Sequence, residues 1–428
     1  MRALILSLWG LFLGLALLML GNGLQGTLLG VRASLEGFDT GLTGAIMTCY
    51  YVGYIFGSIV TPRLIARVGH VRVFAAFASL VSFAPLAHSM FVFPLFWALV
   101  RVMAGMSMAG IFIIAESWLN NVATNQNRAR VLSAYIIVTQ LCIAGGQFLL
   151  NVANPLGFEL FILMSALFSL AVVPITLSRR EAPTHVESGT ISLAQLIRFI
   201  PYTVGALFCV SLTYGAFYGF GAVYALRIGF DSSQIAGFMA AAVLGGVVMQ
   251  WPLGLLSDKI DRRRVALLSC VVVMFTALLL TLLPPGMPHL AQLLMFVFGG
   301  MSLPLYSILL AMAGDFLEPE VLVAACSKMV LVTGVGSALG PVCVALLMEN
   351  LSVSAFPAFI GIAHVAAAGY MIVSLRVRPP VTPDKEAHFT VVTPQATFIA
   401  AEMAGRVAND FPEPIDSNAN EVSKAFAR

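Results

Sequence analysis

The sequence predicts an all-α membrane protein of twelve transmembrane helices, built as two pseudo-symmetric six-helix halves. Three observations predict it. Of the 428 residues, 59% are hydrophobic and only 10% charged, where a soluble domain carries about a quarter charged residues, so the solvent of this chain is lipid. Apolar stretches of bilayer-crossing length, about 20 residues each, recur at 4–29, 41–65, 71–92, 94–118, 131–152, 157–177, 201–226, 234–256, 264–283, 289–313, 322–347 and 354–375. Finally, landmarks of the first half return in order in the second. Gly37-Phe38-Asp39 reappears as Gly229-Phe230-Asp231 (229 − 37 = 192), and Gly105-Met106-Ser107 as Gly300-Met301-Ser302 (300 − 105 = 195). Met47 and Met239, Gly53 and Gly245, Arg67 and Lys259, and Gly145 and Gly340 fall into the same register. A parallel repeat in so apolar a chain is the pattern of a carrier with its site between the halves.

The first span begins like a secretory signal, with Arg2 before an apolar run. No small-residue cleavage site follows, the run continues to Leu29, and it has a counterpart at 201–226, so it reads as a retained helix. Pro94, Asn154-Pro155 and Pro284-Pro285 interrupt the chain on one side of the membrane. The other side holds Arg63, Arg67, Arg72, Arg128, Arg130, Arg179, Arg180, Arg198, Lys259, Arg262, Arg263, Arg264 and Lys328, against Arg32 and Arg227 opposite. An excess of Lys and Arg marks the cytoplasmic face. The even span count returns the chain there, so an integral inner-membrane protein with both termini cytoplasmic is expected. The organisation expected is a first half at 1–177, a cytoplasmic linker at 178–200, a second half at 201–375 and a flexible cytoplasmic tail at 376–428. Within the linker, Ser192 to Ile200 forms a short amphipathic helix. The tail is proline-rich with scattered acids; its stretch Ala396 to Val407 has helical character.

Several function classes are excluded. A net charge of +3 gives no reason to expect nucleic acid. The six cysteines lie in or beside apolar spans and read as packing residues. The six histidines have no metal-ligand spacing, and no phosphate-binding glycine loop precedes a lysine, so neither metal, cofactor nor ATP drive is expected. His364, well inside a span, reads as packed and hydrogen-bonded. An intramembrane enzyme would need clustered His, Asp or Glu within the spans.

The chemistry-bearing residues are few. Arg101 lies about 10 Å past the start of the fourth span at 1.5 Å per residue, a depth at which a charge faces a cavity or a partner. Asn22, Gln25, Gln140, Gln147, Asn151 and Gln250 are polar positions within spans. Tyr50, Tyr51 and Tyr54 crowd the second span, and Tyr214 and Tyr218 share a face of the seventh. These are candidates for substrate or coupling, against the alternative of helix-to-helix hydrogen bonding. Glu116 ends the fourth span opposite Arg128 and Arg130 and near Arg67 and Arg72, which suggests a charge cluster that rearranges in gating, or a proton carrier. Between spans eight and nine stands Gly254-Leu255-Leu256-Ser257-Asp258-Lys259-Ile260-Asp261-Arg262-Arg263-Arg264. Asp258 ends a helix there and can pair with cations and a helix N-terminus, a latch between states. In the first half the equivalent loop keeps Arg67, Gly69 and Arg72 but has Ala66 in place of the acid.

That second loop resembles the G-x-x-x-D-(R/K)-x-G-R-(R/K) motif of the major facilitator superfamily, with Asp261 at the second glycine. Arg101 to Gly105 resembles the superfamily's R-x-x-x-G pattern. Glu116-Ser117, Asn127-Arg128-Ala129-Arg130, Ala134-Tyr135, Gln250-Trp251-Pro252-Leu253-Gly254 and Gly340-Pro341 resemble its YcaD-like branch. The resemblance covers residues 1 to about 377. It implies a secondary active transporter moving a small organic solute by alternating access, possible proton coupling, and a monomer in the bilayer. The other reading of the same fold is a non-transporting membrane sensor or assembly protein.

Overall fold

The computed structural model describes residues 2–124, 127–177, 191–284, 286–317, 319–378 and 389–409, with the side chains of 2–8, 319–320, 323 and 408–409 left aside. Among the described residues the only regular secondary structure is helix. The first half comprises α1 (Arg2–Leu35), α2 (Thr40–Val68), α3 (His70–Met90), α4 (Pro94–Val122), α5 (Arg128–Phe148, continued by a 3₁₀ turn to Asn151) and α6 (Glu159–Leu177). A short surface helix follows, α7 (Leu193–Phe199). The second half comprises α8 (Pro201–Arg227), α9 (Ser232–Ser257), α10 (Arg262–Thr281), α11 (Pro288–Ser302) and α12 (Leu305–Phe316), α13 (Pro319–Asn350) and α14 (Ala355–Val377). A last helix, α15 (Phe398–Asn409), follows the spans.

Among the described residues, eleven helical stretches are long and apolar enough to cross a membrane, and α6 is a shorter apolar one. α11 and α12 together make one crossing, interrupted at Leu303-Pro304. Proline at 304 has no amide to donate, and the helix breaks there, whereas Pro62, Pro85 and Pro341 lie inside continuous helices. The outer faces are apolar and open, as at Phe83, Leu99, Leu170, Val248, Leu279 and Ile362. Exposed leucine and phenylalanine in such density fit a hydrocarbon boundary, not water.

The repeat is physical as well as textual. Gly37 and Gly229 both take positive φ, 79° and 89°, which an L side chain rarely adopts. Each ends its helix alike: the amides of Phe38 and Phe230 reach back to Ala33 O and Ala225 O, five residues upstream. The following helices then start at the same place, after Asp39 and Asp231, and Asp231 caps its helix through the amide of Gln234. Close packing repeats too. A Cβ at Gly53 would lie 2.1 Å from Val102 O, and one at Gly245 would lie 2.0 Å from Phe296 O. Only glycine lets α2 and α9 approach α4 and α11 so closely, since small residues set membrane helix contacts.

The halves meet chiefly through α2 with α13, α5 with α9 and α1 with α8. Far from the arginine-rich side, the Gly41 amide donates to Glu349 (2.8 Å) and the Thr48 hydroxyl to Ala338 O (2.8 Å). Gly44 there rests on Ala345. The halves are thus joined on the side opposite the arginines, and on the arginine-rich side they are spanned by α15. That helix corrects the expectation of a flexible tail over 376–428. Residues 389–409 are packed, with Val392, Ala396, Thr397, Ala400, Ala401, Met403 and Ala404 buried. The rest of the tail expectation, 379–388 and 410–428, and most of the linker, 178–190, lie outside the described residues. α7 takes up the expected short helix, capped reciprocally by Ser192 and Gln195.

Candidate functional site

Arg101 is held by the contact of α2 with α4. Gly105 allows it, because a Cβ there would lie 1.9 Å from Tyr50 O. The approach brings the Tyr50 ring over the guanidinium, Cζ to centroid 4.4 Å, a cation–π contact. Arg101 is 5% exposed, and its Nε has no hydrogen-bond partner. It takes part in no ion pair among the described residues, so its charge is left for something else.

The guanidinium lines a small chamber of about 70 Å³ between the halves, with Asn22, Gln25, Tyr51, Gln147 and Tyr218. Gln25 Nε2 and Tyr218 OH are also buried without a hydrogen bond of normal geometry, the hydroxyl lying beside the Gln140 and Gln395 side chains. Unpaired buried polar groups are costly. Three of them around one chamber form a donor-rich seat that a bound group or water satisfies. A larger cavity of about 430 Å³ adjoins it, lined by Asn22, Tyr50, Tyr51, Tyr54, Tyr218 and Phe398 among others. A third, of about 180 Å³, holds Gln140 and Gln250.

The structure sorts the candidate residues. Asn22, Gln25, Arg101, Gln147 and Tyr218 come together around the chamber. Gln147 also receives the Thr27 hydroxyl, which ties α1 to α5. Tyr214 touches the larger cavity, but its hydroxyl donates to Ser302 O (2.8 Å) and Leu303 O (3.1 Å), binding α8 to the break between α11 and α12. Gln250 donates to Ser307 Oγ at 2.7 Å. His364 is buried between Ser302 Oγ and Ile360 O, a packed residue. His88 is equally buried, bonded to Ala84 O beside Trp97. Among the described residues no metal-holding group of His, Cys, Asp or Glu occurs.

Glu116 does not join the expected arginine cluster. Its carboxylate is fully buried and pairs with neither Arg128 nor Arg130. It accepts from Tyr135 OH (2.9 Å), Thr397 N (3.1 Å), Ala400 N (3.2 Å) and the Thr397 hydroxyl. Arg67 and Arg72 are exposed beside Gly69, which takes φ 87° at the turn between α2 and α3. No role was read in the sequence for Tyr135, Ser307, Asp315, Gln395 or Thr397, which bond to the candidate residues. Each acts across a long sequence separation, and only the alternation of apolar and small residues in 389–404 hinted that this stretch packs.

The second-half loop forms a network inside its own half rather than a latch between halves. Arg262 reaches Asp258 (2.9 Å) and the buried Asp315. Arg263 pairs with Asp261 (2.5 Å) and donates to Ser374 O (3.1 Å) and Arg378 O (3.0 Å). Lys259 and Arg264 are exposed, as is Arg130. Burial alone would push the Asp261 carboxyl up, but the bonds from the Arg263 side chain and amide outweigh it and hold the group below its ordinary value. A depressed folded-state carboxyl contributes stability that is present above its unfolded value, near pH 3.9, and fades as pH falls through the folded value. The melting temperature of the protein is therefore expected to drop on acidification below about pH 4, and to drop less for Asp261→Asn. Equal acid sensitivity in the two proteins would remove Asp261 from the account.

Two six-helix halves with a polar chamber between them have the architecture of a membrane transporter. The model of the Major Facilitator Superfamily matches residues 11–307 and 203–408, and the chain belongs to that family. It is 28% identical over 368 residues to an uncharacterized MFS-type transporter of Enterobacter sp. (strain 638), covering 86% of this chain and 94% of the relative. It is 28% identical over 382 residues to the uncharacterized MFS-type transporter YcaD of Salmonella newport (strain SL254), covering 88% and 97%. In fold it is similar to the nucleoside transporter NupG, with TM-score 0.70, 15% identity and coverage of 86% and 99%. It is also similar to a bacterial homolog of the human lysosomal transporter Spinster in an inward-facing, unoccupied conformation, with TM-score 0.64, 14% identity and coverage of 95% and 98%.

Proposed function

We propose that this protein is a secondary active transporter of a small organic solute bearing an anionic or acceptor-rich group, that it works as a monomer, and that its arginine-rich side faces the cytoplasm. The observation that carries the reading is the chamber where Arg101 Nε, Gln25 Nε2 and Tyr218 OH are buried without a hydrogen bond of normal geometry. All three are donors, so a solute acceptor satisfies what the protein leaves open. The tyrosines of α2 supply flat apolar walls for the rest of the molecule. The orientation rests on the loop arginines. Proton coupling has one candidate group, Glu116.

The test is a thermal-shift screen of purified protein against organic acids, neutral metabolites and cationic drugs. Uptake of the hits in proteoliposomes follows, with and without a pH gradient. Organic anions should raise the melting temperature, and cationic drugs should not. A hit that binds and shows no flux favours the sensor reading. Flux indifferent to the gradient removes proton coupling.

A further inference from the structure

The stretch after α14 lies inside the route that a solute would use. Phe389 packs on Gly254, where a Cβ would come within 2.4 Å of the ring, and its amide faces Asp258 at 3.3 Å. Ser307 Oγ accepts from Val392 N (2.9 Å) and donates to Val392 O (2.7 Å). The chain turns at Pro394-Gln395, and Tyr54 OH donates to Gln395 O at 2.6 Å. α15 then wedges between α4 and α5 of the first half and α12 and α13 of the second.

This is a fitted contact, not a loose one. Main-chain groups of a non-helical segment need partners at membrane depth. Here Ser307 of the second half and Tyr54 and Glu116 of the first supply them. Glu116 serves the start of α15 as a capping carboxylate would, since amides there are free and favour negative charge. The buried face of α15 is Ala400, Ala401, Met403 and Ala404, small enough to lie against α13. Gln395 lines the chamber of Arg101 and Gln25, and its Oε1 is itself buried without a hydrogen bond of normal geometry. An acceptor of the chain's own thus stands among the donors assigned to the solute.

We propose that residues 389–409 are a built-in plug of the solute path. They fill the passage from the arginine-rich side to the chamber, with Glu116 as anchor and Gln395 as the tip that competes with solute. The halves are joined on the far side, so this passage is the open route in the present arrangement, and transport requires the plug to withdraw. This rests on the reading of the chamber as a solute path. The experiment below uses no solute, so its failure and the failure of that reading are distinguishable.

The test uses the full chain with Gln25→Cys as reporter in the chamber. The probe is an anionic, membrane-impermeant methanethiosulfonate, and labelling at position 25 is read by mass spectrometry. Adding Ala400→Glu with Ala404→Glu puts carboxylates on the buried face of α15 and should speed labelling at least ten-fold. Equal rates in monodisperse proteins would overturn the proposal. A second variant does not depend on the charged one folding. A Cβ at Gly405 would lie 3.1 Å from Cys326 Sγ, within disulfide reach. Gly405→Cys should therefore cross-link to Cys326 on oxidation in membranes, and absence of that disulfide would show that the plug does not dock.

Discussion

Arg101→Met is expected to abolish solute binding and flux while raising the melting temperature. The two effects have one cause. The guanidinium is buried against the Tyr50 ring at 4.4 Å, a contact worth about 2 kcal/mol at best when desolvated. A charged side chain at membrane depth costs about 2.5–3.5 kcal/mol or more. The site therefore spends stability to hold a charge it does not use, and methionine, similar in stem length, fills the space without that cost. With solute bound the balance reverses. Charge-assisted hydrogen bonds contribute about 1.5–3 kcal/mol each, so losing two costs on the order of 100-fold or more in affinity. Arg101→Lys should fall between, because an ammonium cannot bind an anion through two parallel bonds. Calorimetry with a hit from the screen and a melting scan of the free protein check both halves. Flux within two-fold of the parent would sink the assignment.

The legible parts of this protein are those written locally. Twelve crossings follow from apolar length, and the glycines at 37 and 229 mark equivalent helix ends because a left-handed residue is a local demand. Gly53 and Gly245 align because the same close approach was duplicated. Arg101 was visible as a charge where lipid forbids one. The plug was not visible in the same way. Residues 389–397 read as a polar, proline-broken tail, and their value depends on Glu116, Ser307 and Tyr54, each more than eighty positions away. The helical character of Ala396 to Val407 could be seen, but not the groove that receives it. Glu116 stood out as an acid at the end of a span, and its neighbours Arg128 and Arg130 suggested the wrong partners. A carboxylate whose oxygens are taken by amides and hydroxyls leaves no sequence pattern of opposite charge.

Breaking the Arg262–Asp315 pair should be the most damaging change on the arginine-rich side. Arg262 opens α10 and Asp315 closes α12, with side chains 2% and 5% exposed. Removing one member of a buried pair strands the other charge and costs about 3–5 kcal/mol. Asp258, the acid that the loop motif draws attention to, is 39% exposed and bonds the same arginine; exposed pairs contribute about 0–1 kcal/mol. Arg262→Met should therefore lower thermal stability sharply, and Asp258→Ala only slightly. Arg262→Met with Asp315→Leu should recover much of the loss, because two apolar side chains replace the pair without an orphaned charge. Heat-inactivation midpoints of the three proteins decide it. If Asp258→Ala proves as damaging as Arg262→Met, the motif acid carries the brace and Asp315 is secondary. The expected order instead makes the second-half loop a fixed strut between α9, α10, α12 and α14, so that the movable contact on this side is left to Glu116 and the residues it caps.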